Sequence, residues 1–320
     1  MKKTLVVTAA LAAAFALTFG GVGSARAEAF YNQLSVDEPV VFGNLAIYPV
    51  SLPGGGERMG ELLTLDEAMK TGDFVIREIE EGPQVNSLQV VNDTGKPVVL
   101  LAGEMIRGAK QDRIISYDVV VPPGGKAYVD AFCVEAGRWT ETNDRFAYAD
   151  EIAPAAVRNT AQGKQNQNDV WNAVSKVNEE RGVASESDAL TASYNDPAYQ
   201  AKVKEYKDAF ADIAKDKDVV GVVVVTGGAV KAGDIFGSHD LFAKVWPRLL
   251  TSYAMDGALS SGLGGVISPA TIKMRLAELD AAAREEQFKG DNQGRMKAKA
   301  ANAEAYELEY DGKPVHANVY

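Results

Sequence analysis

The chain holds one cysteine, Cys133, and two histidines, His239 and His316, among its 320 residues. A single cysteine excludes an internal disulfide framework. No cluster of histidine, cysteine and carboxylate stands at metal-ligand spacing, so no metal site is expected. Positive charge is also scarce. Lys plus Arg number 33 against 44 Asp plus Glu, a formal charge of −11, and that balance disfavours a nucleic-acid partner because phosphate-backbone binding needs basic surface. A serine elbow, a Walker loop and the Rossmann glycine fingerprint are all missing, and no cofactor is expected.

What remains, 46% hydrophobic and 24% charged residues, is the composition of an ordinary globular chain. Its first residues form an address. Met1, Lys2 and Lys3 are followed by an apolar run from Leu5 to Phe19 and by Ala25-Arg26-Ala27, the pattern of a signal peptide over residues 1–27 with cleavage before Glu28. The expected destination is the periplasm or the exterior. Cleavage removes Lys2, Lys3 and Arg26, which makes the mature chain more acidic still. No later window has the length and apolarity of a membrane span, so stable insertion after cleavage is not expected. Cys133 lies in the apolar run Ala131–Val134 and reads as a small buried hydrophobe.

The mature chain, residues 28–320, reads as a single compact α+β domain. Residues 28–145 form its β-rich, antiparallel, sandwich-like half. Short strands at Val40–Phe42, Leu45–Val50, Asp73–Glu80, Val85–Val91 and from Pro97 alternate with turns at Glu81-Gly82-Pro83 and Asn92–Gly95. Thr64 with Glu67 makes a capping box for a short helix ending at Gly72. Residues 146–320 form a helix-rich, mixed half. Val170, Trp171, Val174 and Val177 share one helical face, as do Tyr199, Val203, Tyr206, Phe210 and Ile213, and the intervening segment 181–196 is expected to be an exposed loop. The β-branched run Val219–Val225 reads as a strand buried on both faces. A kink or restart is expected at Pro247, a helix from Ser268-Pro269 to Gly290, and a closing hairpin from Tyr306 to Tyr320 turned by Asp311-Gly312.

The densest run of ionisable residues, Gly103 to Arg113, lies between two apolar strands. A bend near Gly108 and a turn at Pro122–Gly125 would set Val121 against Lys126, Arg113 against Val134 and Asp112 against Glu135. Glu104, Arg107, Lys110, Gln111 and Arg113 would then meet Glu135, Arg138 and Trp139 at one sheet end. Guanidinium donors, carboxylates and an aromatic face are the equipment of a pocket for a small anionic or polyhydroxylated ligand. The same groups could instead form a salt-bridge network tying a hairpin to its neighbour. A hydrolase would use Glu104 and Glu135 as acid and base, with His316 as a third catalytic candidate. A structural or interaction protein without a ligand is the remaining reading. The amide-rich stretch Lys164–Asp169 reads as a helix start whose Gln and Asn side chains could address a polar ligand.

The residues Thr64-Leu-Asp-Glu67, Glu78, Val85-Asn-Ser-Leu88, Asn92, Gly103-Glu104, Gly108-Ala-Lys-Gln111, Arg113, Cys133-Val-Glu135 and Gly137-Arg-Trp139 resemble the pattern of one family. Val170-Trp171, Asp234-x-Phe236, Leu249-Leu-x-Ser252-Tyr253 and Val315-His316 extend the resemblance over nearly the whole mature chain. That family is the domain of unknown function named for its association with ADP-ribosylglycohydrolases and rhodanese-phosphatase proteins. Its name implies a neighbourhood and assigns no activity.

Overall fold

The computed structural model describes residues 30–79, 86–138, 145–182, 186–195, 197–259, 264–290 and 292–320. Residues 1–29, which include the expected leader, lie outside them. Among the described residues three sheets and seven α-helices make an α+β fold with a strand-rich N-terminal half. Strands β1 (Ser35–Val36), β2 (Val40–Phe42) and β3 (Leu45–Ser51) do not stay in that half. They join β13 (Val219–Thr226), β14 (Ala229–Phe236), β15 (Ala283–Lys289), β16 (Gln293–Lys299), β17 (Glu304–Tyr310) and β18 (Lys313–Val319) in a nine-stranded sheet of order β1-β3-β13-β14-β18-β17-β16-β15, with β2 beside β3.

The β-branched strand β13 sits inside that sheet, between β3 and β14. Its alternate side chains enter two different cores, as a continuous apolar run requires. Val220, Val223 and Val225 face α1 (Phe30–Gln33) and α7 (Pro269–Asp280), while Val219, Val222 and Val224 face the central core. The central core also takes in α3 (Ala155–Lys164), α4 (Gln167–Glu180), α5 (Pro197–Phe210) and α6 (His239–Leu259). Helix α6 runs unbroken through Pro247.

The N-terminal half is built from two further sheets. One has three strands, β10-β7-β4, formed by β4 (Leu63–Thr64), β7 (Val98–Leu100) and β10 (Val119–Val121). The other runs β12-β8-β9-β11-β6-β5 through β5 (Phe74–Glu78), β6 (Ser87–Asn92), β8 (Glu104–Gly108), β9 (Arg113–Ile115), β11 (Lys126–Cys133) and β12 (Phe146–Ile152). Leu88, Val90, Leu100, Ile106, Ile115 and Val121 pack together between them, which makes the half sandwich-like. Helix α2 (Leu65–Thr71) has the capping box read from the sequence and ends at Gly72 in the left-handed conformation.

Two expectations are corrected. The helix from Pro269 stops at Asp280, and Ala283–Lys289 is strand β15. Its Ala, Arg, Glu and Gln residues favour helix locally, but pairing with β16, itself paired to β17, overrides that preference. The segment 181–196 is not simply exposed. Ala189 and Leu190 are buried, and a 3₁₀ turn runs over Leu190–Asn195. Among the described residues no helix is long and apolar enough to cross a membrane.

Candidate functional site

The apolar stretch from Ile114 to Val121 is interrupted by Ser116-Tyr117-Asp118, and there the chain passes from β9 in one sheet to β10 in another. Val121 accordingly pairs with Val98, whereas the sequence had set it against Lys126. Arg113 pairs with Cys133, one residue from the expected partner. The crossing carries Asp118 beneath the nine-stranded sheet, where its Oδ2 meets Nδ1 of His316 on β18 at 2.6 Å. Asp118 Oδ1 accepts from the backbone N–H of Ala102 at 2.8 Å.

His316 is buried, stacked on Phe236 with ring centroids 4.4 Å apart, and its Nε2 lies 3.1 Å from Oδ1 of Asp234 on β14. Asp234 is a hub. It accepts two parallel bonds from Arg158, at 2.9 and 3.0 Å, one from Asn318 at 2.9 Å and one from the hydroxyl of Tyr253. Burial alone would favour the neutral imidazole. The charge of Asp118 and hydrogen bonds to both carboxylates overcome this and push His316 up to about 9. Burial would likewise raise Asp234, but Arg158 and His316 hold its carboxyl well below the usual range. Two anions thus enclose two cations in the protein interior, an arrangement that tolerates burial because nearly every donor is matched.

Gly103 makes room for this frame. Its φ is +84°, and a Cβ there would lie 2.1 Å from the Arg158 side chain. Arg158 and Gln162 stand four residues apart on the buried face of α3, so the helix that supplies the ion pair also reaches toward the surface.

Asp118 and Gln162 open onto a cavity of about 220 Å³. Its other walls are Tyr117, Gln165, Gln287, Arg295, Met296, Tyr306 and Glu307. Gln287 sits at a register shift in the β15–β16 pairing, where an extra residue re-aims a strand. Gln293 fastens this hairpin to the neighbouring sheet through 3.0 and 2.9 Å bonds with the backbone N–H and C=O of Val120. The guanidinium carbon of Arg295 lies 3.4 Å from the Tyr117 ring centroid, and its Nε and Nη1 are buried without a hydrogen-bond partner. Glu307 is already engaged by Arg284 and by the Tyr31 hydroxyl. Among the described residues that line the cavity, Arg295 is the cation.

The residues singled out from the charged run divide among several networks. Gln111, Glu135 and Arg138 come together: Gln111 donates to the Glu135 carbonyl at 2.6 Å, and Arg138 donates to Glu135 at 2.7 Å, Asp112 at 3.1 Å and the Ala109 carbonyl at 3.0 Å. Ser187 donates to the other Glu135 oxygen at 3.1 Å. This is a clasp across the β8–β9 turn. Arg113 faces away, with its guanidinium on Glu78 at 3.0 Å and on the Cys133 sulfur at 3.0 Å. Arg107 pairs with Glu151 at 2.6 Å, and Lys110 lies half-buried in the turn. Trp139 lies outside the described residues.

Glu104 is in a third place. It accepts from the Leu101 N–H at 2.9 Å and faces Arg248 at 3.4 Å, and Arg248 reaches on to Asp66 at 2.5 Å. Burial pushes the Glu104 carboxyl up to about 7 against the pull of Arg248. Asp118, Arg158, Gln162 and Arg295 were missed as site residues, and Asp234 was noted only through the resemblance. The polar triplet inside an apolar strand and the buried Arg–Gln pair on an alanine-rich helix were the available signals. Gln165 was within reach through its amide-rich stretch. Among the described residues no three His, Cys, Asp or Glu side chains converge as a metal-ligand set.

Fold and site together define an α+β protein with a polar cavity resting on a buried charge frame. A family model, that of the ARG and Rhodanese-Phosphatase-superfamily-associated Protein domain, matches residues 33–320, and the chain belongs to that family. No curated protein and no solved structure matches it.

Proposed function

We propose that this is an exported binding protein for a small, anionic, polyhydroxylated ligand, held in the cavity between α3 and the β15–β17 strands. The observation that carries the reading is Arg295, a guanidinium stacked on Tyr117 at the wall of a cavity otherwise lined by amides, phenols, carboxylates and Met296. A guanidinium at a cavity wall offers an acidic ligand a charge-assisted partner. Gln162, Gln165 and Gln287 offer both donors and acceptors to hydroxyl groups. Asp118 contributes a carboxylate of fixed orientation, since both its oxygens are anchored.

A hydrolase acting through Glu104 and Glu135 would need the two carboxylates at one substrate. They stand in separate networks and neither lines this cavity, so the geometry supports binding over acid–base cleavage. Export rests on the basic, apolar and Ala-x-Ala order of residues 1–27. Intact mass of protein recovered from the cell envelope should give a chain starting at or near Glu28, and a full-length cytosolic species would contradict it.

The binding test is a thermal-shift and calorimetric panel of uronic acids, sugar phosphates, hydroxy acids and neutral sugars on wild type and on Arg295→Gln. An acidic sugar or hydroxy acid should raise the wild-type melting temperature, and the variant should lose that rise. Failure of the whole panel on wild type, or an equal rise in Arg295→Gln, would overturn the assignment.

A further inference from the structure

Three charged side chains line the Arg295 cavity among the described residues: Arg295 itself, Asp118 and Glu307. Each carboxylate has a cation of its own. His316 Nδ1 stands 2.6 Å from Asp118, and Arg284 Nε stands 3.0 Å from Glu307, whose other oxygen accepts the Tyr31 hydroxyl at 2.8 Å. The charge that a guest would balance is therefore the single positive one of Arg295. Its guanidinium carbon lies 3.4 Å from the Tyr117 ring centroid and 5.1 Å from that of Phe288, contacts that set the plane of the fork.

The neutral groups are assigned as well. Gln162 accepts the Tyr320 hydroxyl on its Oε1, which leaves its NH2 for a guest. Gln165 commits its NH2 to the carbonyls of Ala161 and Gln162, at 3.0 and 3.1 Å, so its Oε1 remains as acceptor. The hydroxyls of Tyr117 and Tyr306 donate to Asp130 and Glu304, so both phenols offer ring surface and acceptor capacity. Gln165 caps the C-terminus of α3. The cavity thus meets the negative end of that helix dipole, opposite to the end that phosphate sites use.

We infer that the ligand is a sugar acid, one polyhydroxylated ring carrying a single carboxylate, and that the cavity discriminates against phosphate esters; this rests on the binding reading above and narrows it. A carboxylate brings one charge and two coplanar oxygens, the shape a guanidinium fork accepts. A phosphate monoester brings about −1.5 to −2 charges at neutral pH and a third terminal oxygen. Its second charge has no cation to balance it and lies near two fixed carboxylates. Size sets the other limit. A cavity of about 220 Å³ is smaller than the range of about 300–1,000 Å³ usual for drug-sized ligands, which suits one ring rather than a disaccharide or a nucleotide. Met296 and the Tyr306 ring give the C–H surface of such a ring an apolar neighbour.

Calorimetry at neutral pH tests the narrowing with matched compounds in the gluco, galacto and manno series: the hexose, its 6-phosphate and its uronate, which share a ring and differ at C6. In at least one series the uronate should bind wild type at least about tenfold more tightly than either companion. Glu307→Gln is nearly isosteric and releases the charge of Arg284, so it should narrow the gap between uronate and phosphate several-fold. A 6-phosphate that binds wild type as tightly as its uronate, or a gap unchanged in a folded Glu307→Gln protein, would overturn the sugar-acid assignment while leaving an anion site at Arg295. Silence of every uronate and phosphate would instead overturn the binding reading on which the assignment rests.

Discussion

Two clusters of charge in this molecule look alike on paper and behave differently in space. The clasp of Asp112, Glu135 and Arg138 joins residues no more than 26 positions apart, and Arg138 keeps 21% of its side-chain surface exposed. The frame of Asp118, His316, Asp234 and Arg158 joins residues up to 198 positions apart with side chains 5% exposed or less. The first cluster is where the sequence is visibly charged. The second is where the charge is desolvated, and desolvated charge binds its partners more tightly and punishes their loss more heavily. The cavity proposed to bind a ligand adjoins the second cluster.

The largest effect should come from breaking the frame. Asp234→Asn keeps the shape but leaves Arg158 and His316 without their shared counter-charge, and should cost about 3–5 kcal/mol in urea denaturation. Arg138→Ala in the clasp should cost about 1–2 kcal/mol, since Arg138 is itself partly exposed and Glu135 keeps the Ser187 hydroxyl as a donor. An Asp234→Asn protein no less stable than Arg138→Ala would erase the distinction.

The pH dependence sharpens it further. His316 is raised from 6.5 to about 9, so its contribution is fully present below pH 6.5 and is lost as pH rises through 9. Glu104 is raised from 4.5 to about 7, so folding loses that protonated-state advantage as pH rises between those values. Melting temperature against pH should therefore decline in two windows. His316→Gln should flatten the upper window and Glu104→Gln part of the lower one, where Asp256, raised to about 6, supplies the rest. A swap of windows between the two variants would show the assignments to be wrong.

The smallest effect is expected at Cys133. Burial raises its thiol, and Arg113 already points a donor at the sulfur. Cys133→Ser gives that donor a hydroxyl and should change stability by less than about 1 kcal/mol. Native protein should resist thiol reagents until it unfolds, and rapid labelling of the folded chain would place the sulfur elsewhere.

Much of the fold could be read from local pattern. The Thr64–Glu67 capping box, the buried β13 run and the Asp311-Gly312 hairpin each follow from a few neighbouring residues. Many residues that carry the family resemblance turn out to be structural partners. Asn92 binds three carbonyls of adjacent turns, Glu78 holds Arg113, and Gly103 clears space for Arg158. The site was less legible for two physical reasons. Strand β15 has a helix-favouring composition, and reading it as helix removed the hairpin that supplies Gln287 and Arg295. The frame joins β14, β18, α3 and the β9–β10 crossing, and no local periodicity announces which polar residues of four distant segments will be buried together.

The most direct test of the charge frame is an NMR titration of the imidazole. With two histidines in the chain, His239→Gln assigns the remaining ring to His316. The frame predicts a folded-state imidazolium through neutral pH that loses its proton only near 9, and that in Asp234→Asn titrates at lower pH. A wild-type His316 that titrates at or below 6.5, or whose titration is unmoved by Asp234→Asn, would contradict the claim that the cavity wall rests on a buried, charged histidine.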